Sequence, residues 1–174
     1  MRIRNQQLPH AYLTGFAMLE VLLAIVIISF GLLGLAGLQA TSIRNNHGAY
    51  LRSLVTQQAY DMADRIRANQ AGAKAGNYDA ISGIPAADSC IGSTVAPGCN
   101  AAQLASQDAR QWNTSNATLF PSGQGIVCRD TTPDDGTPAA TACTGAGPFV
   151  IKIWWNDDKS GTAPLKRFVT SFQP

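Results

Sequence analysis

The first 70 residues carry the clearest hydrophobic pattern in the chain. From Val21 to Leu38 the sequence reads VLLAIVIISFGLLGLAGL, 18 residues without a charge and with Ser29 as the only polar side chain. This stretch meets the lower length limit for a helix that crosses a bilayer. It lacks the polar stripe of a core helix, and it lacks the small-residue cleavage site that ends the shorter apolar core of a secretory signal peptide. The pattern therefore favours a retained membrane helix.

The apolar pattern continues beyond Leu38 at helical spacing. One stripe contains Leu51, Val55, Ala59, Met62 and Ile66, at spacings of four, four, three and four. This spacing predicts an amphipathic continuation of the same helix, from about residue 17 to about residue 69. On another face Asp61 and Arg65 are four residues apart, which predicts a surface ion pair. The stripe must pack on a globular domain.

The remaining sequence predicts a small α+β domain. Residues 70–100, rich in Ala and Gly, predict an irregular loop, and residues 101–118 predict a helix that ends near residue 113. Strands are predicted at residues 125–130 (GIVCRD), 149–155 (FVIKIWW) and 167–172 (RFVTSF), with Phe149, Ile151, Ile153 and Trp155 on one face of the second strand. The simplest arrangement is an antiparallel sheet whose last two strands form a hairpin packed on the long helix.

Four cysteines lie beyond the apolar stretch, namely Cys90, Cys99, Cys128 and Cys143. An even number of cysteines in an exported domain predicts two disulfides. Zinc binding is disfavoured because no pair has CxxC spacing and His10 and His47 are distant in sequence. Three connectivities are open, and the ease of closing short loops favours Cys90 with Cys99 and Cys128 with Cys143.

Charge and motifs argue against two other functional classes. The net charge is +2, but Arg2 and Arg4 precede Gly15, and the chain from Phe16 onward carries 11 basic and 11 acidic side chains. That balance argues against a nucleic-acid partner. A single histidine follows Gly15, and GxSxG, HExxH and Gly-rich phosphate motifs are absent. We therefore expect no enzyme activity, cofactor or metal.

Trp154 offers a further alternative, in which the domain itself binds a host surface or DNA. An exposed indole at this position could stack on a base. Packing within a small sheet is the other interpretation of the same residue.

Glu20 is the only charge between Phe16 and Leu38. A carboxylate deep in an apolar environment costs roughly 2 to 3 kcal/mol on insertion scales. Glu20 must therefore either extend to headgroup water or find a cationic partner.

The N-terminus resembles a known signal. A short basic leader precedes Gly15 and Phe16, Glu20 follows, and GFAMLEVLLAIVI is similar to the class III signal of type IV pilins and type II secretion pseudopilins, usually written GFTLIEVLVA. The resemblance implies that prepilin peptidase cleaves between Gly15 and Phe16 and that the new N-terminus on Phe16 is methylated. It also implies that Glu20 pairs with the amine of a neighbouring subunit during assembly. Thr14 departs from the pattern, since many prepilins have Lys or Arg there.

Later segments resemble the PilV family of minor pilins, the type IV pilus modification proteins. They read GLLGLAGLQATSIRNNHGAYLRS, YDMADRIRANQAG, GIVCRD, IKIWWNDDKSG and RFVTSFQP. The resemblance implies the type IV pilin fold. It divides the chain into a leader (residues 1–15), a transmembrane and later filament-core half of the helix (16–38), an amphipathic half (39–70) and a globular domain with two disulfides (71–174).

The PilV resemblance also implies a role and a location. The subunit would be a single-pass protein of the inner membrane with its C-terminal domain in the periplasm, and would then enter a pilus on the cell surface. It would help to initiate assembly within a tip complex, supporting adhesion and twitching motility. Its expected partners are other minor pilins, the major pilin, prepilin peptidase, the inner-membrane assembly platform and a tip adhesin.

A minor pseudopilin of a type II secretion system is the alternative, because it would share the leader and the helix. A calcium loop near the C-terminus would distinguish it. The candidate oxygen ligands are Asp134, Asp135, Asp157 and Asp158, although paired acids in Gly- and Pro-rich loops also occur as solvated turns.

Overall fold

The computed structural model describes residues 18–87, 90, 98–157 and 164–174. Its helices are α1 (Met18–Ala68), α2 (Gln70–Lys74) and α3 (Ala101–Leu119), and its strands are β1 (Ala80–Ser82), β2 (Gln124–Arg129), β3 (Phe149–Trp155) and β4 (Lys166–Phe172). The chain forms two units that meet between Asn45 and Asn46, within α1. The layout is α+β, with one long N-terminal helix and a small antiparallel sheet.

The first unit contains the apolar part of α1, which begins close to the predicted residue 17. Every described side chain from Met18 to Asn45 is exposed. The polar side chains here are satisfied within the helix, since the hydroxyls of Ser29 and Thr41 donate to the carbonyl oxygens of Ile25 and Gly37. Such back-bonding lets a hydroxyl sit in an apolar helix without an outside partner.

The second unit begins with the amphipathic part of α1. All five residues of the predicted stripe are buried, and Ala63 is buried with them. They share one hydrophobic core with buried side chains of α3 and of the sheet, including Trp112, Val127 and Ile151. The predicted stripe is therefore confirmed, and its burial attaches this half of the helix to the domain.

The sheet has the order β1-β2-β3-β4, and every neighbouring pair is antiparallel. One cross-strand row runs from Ile81 to Val127, then Ile151, then Thr170. The predicted pairing of the last two strands is confirmed. The predicted irregular loop over residues 70–100 is wrong at two places, because α2 and β1 fall within it.

Helix α3 extends further than predicted, to Leu119 and not to about Asn113. It begins with a capping box in which Asn100 and Gln103 satisfy each other's backbone amides. At the predicted end of the helix, Asn113 stays helical and makes tertiary hydrogen bonds with its side chain. Asn113 donates to the carbonyl of Gly83 (2.7 Å) and accepts from the amide of Gly125 (3.0 Å).

Both faces of β3 are buried. One face joins the core against α1 and α3 through Phe149, Ile151, Ile153 and Trp155. On the other face, Trp154 packs with Ile126 and Cys128 in a second, smaller cluster. This second cluster is an addition to the usual one-sided burial of an antiparallel sheet.

Candidate functional site

The apolar part of α1 is the most unusual surface of the described chain. It carries a dense series of large exposed hydrophobic side chains, among them Leu22, Ile27, Phe30 and Leu33. Within the described ranges, α1 is the only helix long and apolar enough to cross a membrane, and its most apolar 18 residues have no burial inside the structure. A soluble monomer rarely exposes such a patch, so another apolar phase must cover it.

Glu20 lies in the first turn of α1 with its side chain exposed. A carboxylate at this end of a helix is stabilised by the partial positive charge of the unpaired backbone amides. Leu23 and Ala24, three and four residues further on, share its helix face and provide no polar partner. Gly15 and Phe16, the predicted cleavage and methylation residues, lie outside the described residues.

Specific polar contacts join the amphipathic part of α1 to the domain. The indole N–H of Trp112 donates to the carbonyl of Gln58 (2.8 Å). Arg65 forms the predicted ion pair with Asp61 (2.9 Å) and also reaches Asp108 on α3 (3.3 Å). The predicted surface pair is thus part of a connection between two helices.

A buried network continues from Asp108. Its carboxylate accepts from the hydroxyl of Tyr78 (2.6 Å), and that hydroxyl accepts from the amide of Asn69 (3.0 Å). Burial and the hydrogen bond to Asp108 raise the pKa of Tyr78 well above its ordinary value. The end of α1, the start of β1 and α3 are therefore held by one set of hydrogen bonds.

The structure forms two disulfides, with the pairing that short-loop closure favours. Cys90 is bonded to Cys99 and Cys128 to Cys143, with Cα–Cα distances of 4.9 and 6.1 Å. The second bridge joins β2 to the long loop that precedes β3. Cys128, Asp130 and Cys143 bring three potential metal ligands within 4.8 Å, but both sulfurs are consumed by the disulfide.

Lys152 lies in the middle of β3, and its side chain is fully buried. Its ammonium nitrogen is 2.7 Å from Asp130 Oδ2, also fully buried, and 3.0 Å from Asp135 Oδ1. It also donates to the backbone carbonyls of Asp135 (3.0 Å) and Thr141 (3.2 Å). We call these four oxygen atoms the oxygen cage.

Lys152 lowers the pKa values of the two carboxyl groups in the oxygen cage. Burial alone would raise the pKa of Asp130, but its contacts with Lys152 and Thr132 outweigh burial and lower it. Hydrogen bonds from the same two residues lower the pKa of Asp135. Both carboxylates are therefore held in the charged form.

The acidic residues considered as calcium ligands have other contacts in the described chain. Asp135 belongs to the oxygen cage, and the backbone carbonyl of Asp134 accepts from Arg167. Asp157 accepts from the indole N–H of Trp155 (2.9 Å). Asp158 lies outside the described residues.

Trp154 does not form the exposed stacking surface that one alternative required. Only 3% of its surface is exposed, and it packs in the smaller cluster with Ile126 and Cys128. The packing interpretation of this residue is therefore confirmed.

Sequence patterns did not identify the oxygen cage. The alternation in FVIKIWW placed Lys152 on the face opposite to Ile151 and Ile153, a position that is normally solvated. The available signal was the presence of a single lysine within a strand that is otherwise entirely apolar. By contrast, Lys166, 14 residues later, lies at the exposed start of β4.

Together these features define a class of protein, one in which a mostly apolar, exposed N-terminal helix continues into a disulfide-bonded α+β domain. No protein-family model, curated protein or solved structure matches the chain.

Proposed function

We propose that the chain is a minor pilin of the type IV pilus that takes part in initiating assembly and in the tip complex. The observation that carries this proposal is the division of α1. One half is a fully exposed apolar helix, and the other half is buried against a small disulfide-bonded sheet domain. A subunit built in this way can wait in a membrane and later transfer the same apolar surface to a filament core.

Glu20 gives the transfer its specificity. Prepilin peptidase removes residues 1–15, which leaves a free amine on Phe16, and this amine is then methylated in a separate step. In the apolar core of the filament, an unpaired Glu20 carboxylate or an unpaired amine would be strongly disfavoured. Pairing Glu20 with the amine of a neighbouring subunit satisfies both charges and sets the axial position of one helix against the next.

The docked half of α1 connects the filament core to the displayed domain. Its buried stripe and the Trp112 and Arg65 contacts make the helix end part of the domain core. The domain therefore follows the helix when the assembly platform extracts the subunit from the inner membrane. In the periplasm and on the cell surface, it presents the faces that other minor pilins, the major pilin and a tip adhesin contact.

Deletion of the chain followed by complementation tests the proposal. We expect the deletion to remove surface pili and twitching motility and the wild-type chain to restore both. Glu20→Gln removes the charge with little change in shape, and we expect this variant to restore neither surface pili nor twitching motility. Asp64→Asn is the matched control, because it removes an exposed acidic charge from the same helix. The measurements are electron microscopy of surface pili and a twitching assay.

The same experiment distinguishes the alternative function. Normal piliation and motility in the deletion strain, with loss of protein secretion, would overturn the minor-pilin proposal in favour of a pseudopilin. Full complementation by Glu20→Gln at wild-type protein level would remove the proposed role of Glu20.

A further inference from the structure

The oxygen cage has the composition of a binding site for a hard cation. Two carboxylate oxygens and two backbone carbonyl oxygens surround one point at 2.7 to 3.2 Å. Carboxylates combined with backbone carbonyls are the ligands that proteins use for Ca²⁺. In this chain the point is occupied by the ammonium group of Lys152.

The oxygen cage is supplied almost entirely by one loop. Asp130, Asp135 and Thr141 lie between β2 and β3, within the segment that the Cys128–Cys143 disulfide closes. The loop has few apolar contacts of its own, since most of residues 131–142 are exposed or half-buried. Its position over the sheet therefore depends on its disulfide and on polar contacts.

A second cation reaches the same loop from the adjacent strand. The Arg167 guanidinium donates to the carbonyls of Asp134 and Gly136 (3.1 Å to the latter). Lys152 and Arg167 carry two positive charges, which offset the negative charges of Asp130 and Asp135. A free divalent ion would supply the same charge.

We propose that Lys152 is a built-in substitute for a bound calcium ion, which fixes the loop between β2 and β3 without any metal. The ammonium fills the oxygen cage, so the loop keeps its conformation at any calcium concentration. Replacing Lys152 by alanine removes the ammonium with its stem, which leaves room for an ion and its waters and converts the oxygen cage into a calcium site. This inference does not depend on the proposed function.

Thermal melting of the full chain in detergent micelles tests the inference, with CaCl₂ compared with EGTA. We expect the wild-type melting temperature to be the same in both. Lys152→Ala opens the space at the centre of the oxygen cage and leaves Asp130 buried without its partner, so we expect its melting temperature in EGTA to fall by roughly 10 °C. With Ca²⁺ at about ten times a weak-site Kd, we expect a recovery of roughly 4 °C.

Two variants control the experiment. Lys74→Ala replaces an exposed lysine on α2 by the same side chain and should show neither the loss nor the calcium response. Lys152→Ala combined with Asp135→Asn removes one charged ligand of the oxygen cage and should lose most of the recovery. Mg²⁺ should be much less effective than Ca²⁺, because it demands a smaller octahedral site.

A calcium-dependent melting temperature in the wild-type chain would overturn the inference, as would a Lys152→Ala variant that gains nothing from calcium. A second measurement decides the case where Lys152→Ala does not fold. Reductive methylation of the folded wild-type chain should modify Lys74 rapidly and leave Lys152 unmodified. Equal modification of the two lysines would show that the ammonium does not fill the oxygen cage.

Discussion

At the scale of single residues, the stability of the domain depends on the pair formed by Lys152 and Asp130, because both side chains are fully buried. A buried ion pair adds little over well-packed apolar residues, because both ions lose their hydration. Removing one member is costly, because the other stays buried and unpaired. The stability of the domain is therefore sensitive to substitution of either member of the pair.

Asp130→Ala tests this sensitivity. We expect the free energy of unfolding to fall by about 3 to 5 kcal/mol, because the Lys152 ammonium loses its closest counter-charge in a buried position. Urea denaturation followed by circular dichroism measures the change. Asp64→Ala is the control, since its ion pair with Arg67 is exposed and should cost less than about 1 kcal/mol. Equal effects of the two substitutions would contradict the role given to burial.

The same carboxylates predict a loss of stability in acid. The pKa values of Asp130 and Asp135 are lowered in the folded state, so the unfolded chain binds more protons as the pH falls. The contribution of these two groups to the free energy of unfolding is complete above the ordinary aspartate pKa of about 3.9. It is lost as the pH falls through their lowered pKa values in the folded state. Thermal melts at successive pH values should show this decline. Asp130→Asn should make the decline shallower, and an unchanged slope would count against the assignment.

Residue-level prediction from sequence succeeded where one residue type stands out against its surroundings. Four cysteines with two short spacings favour one pairing, which the structure contains. Glu20 also stands out in an uncharged segment, but its role in assembly stays a prediction. Lys152 was missed because alternation only indicates which face of the strand a side chain occupies. Whether a distant loop covers that face depends on tertiary structure.

At the scale of elements, long periodic segments were predicted well and short ones were not. The stripe on α1 repeats over four turns, so its period is unambiguous. Strand β1 has three residues and α2 has five, which is too short for either period to appear. The end of α3 was misplaced because Asn113 and Asn116 resemble terminating residues in sequence, whereas both are buried in the structure.

Gly125 in β2 shows how closely the sheet approaches α3. A Cβ atom at this position would lie 2.3 Å from the Trp112 ring. We expect Gly125→Ala to lower the free energy of unfolding by about 1 to 3 kcal/mol, because the indole must move from a packed core. Gly48→Ala is the control, because a Cβ there meets no atom within 4 Å and a helical alanine should stabilise by up to about 1 kcal/mol. Chemical denaturation of both variants measures the difference, and a neutral Gly125→Ala would contradict the packing.

At the scale of the whole molecule, the two units differ in the exposure of their apolar side chains. From Met18 to Asn45 the apolar side chains are exposed, whereas the unit from Asn46 onward has a buried hydrophobic core. Hydropathy predicted an apolar part and an amphipathic part of α1, because a bilayer-length apolar run and an amphipathic stripe can both be recognised in the sequence. It placed the boundary after Leu38, whereas the first unit of the structure extends to Asn45. The contacts that pilin partners would make cannot be predicted in this way, because they depend on surfaces that no periodicity describes.

The exposed helix predicts how the chain partitions in cells. We expect it to stay with the membrane pellet after alkaline carbonate extraction, since about 20 apolar residues favour the hydrocarbon phase strongly. Immunoblotting of pellet and supernatant measures this. A variant with Val26→Arg and Ile27→Asp, which places two charges at the centre of the stretch, should be released in a larger fraction. Release of the wild-type chain would show that the helix does not span the membrane.

The positions of the tryptophans give the molecule an intrinsic optical reporter. All three, Trp112, Trp154 and Trp155, lie in the second unit and are buried, and the apolar part of α1 contains none. Trp112 holds the backbone of α1 through its indole N–H. Tryptophan fluorescence from this chain in micelles therefore reports only on the disulfide-bonded domain. A red shift would signal that the helix has separated from the domain, even while the apolar half remains embedded.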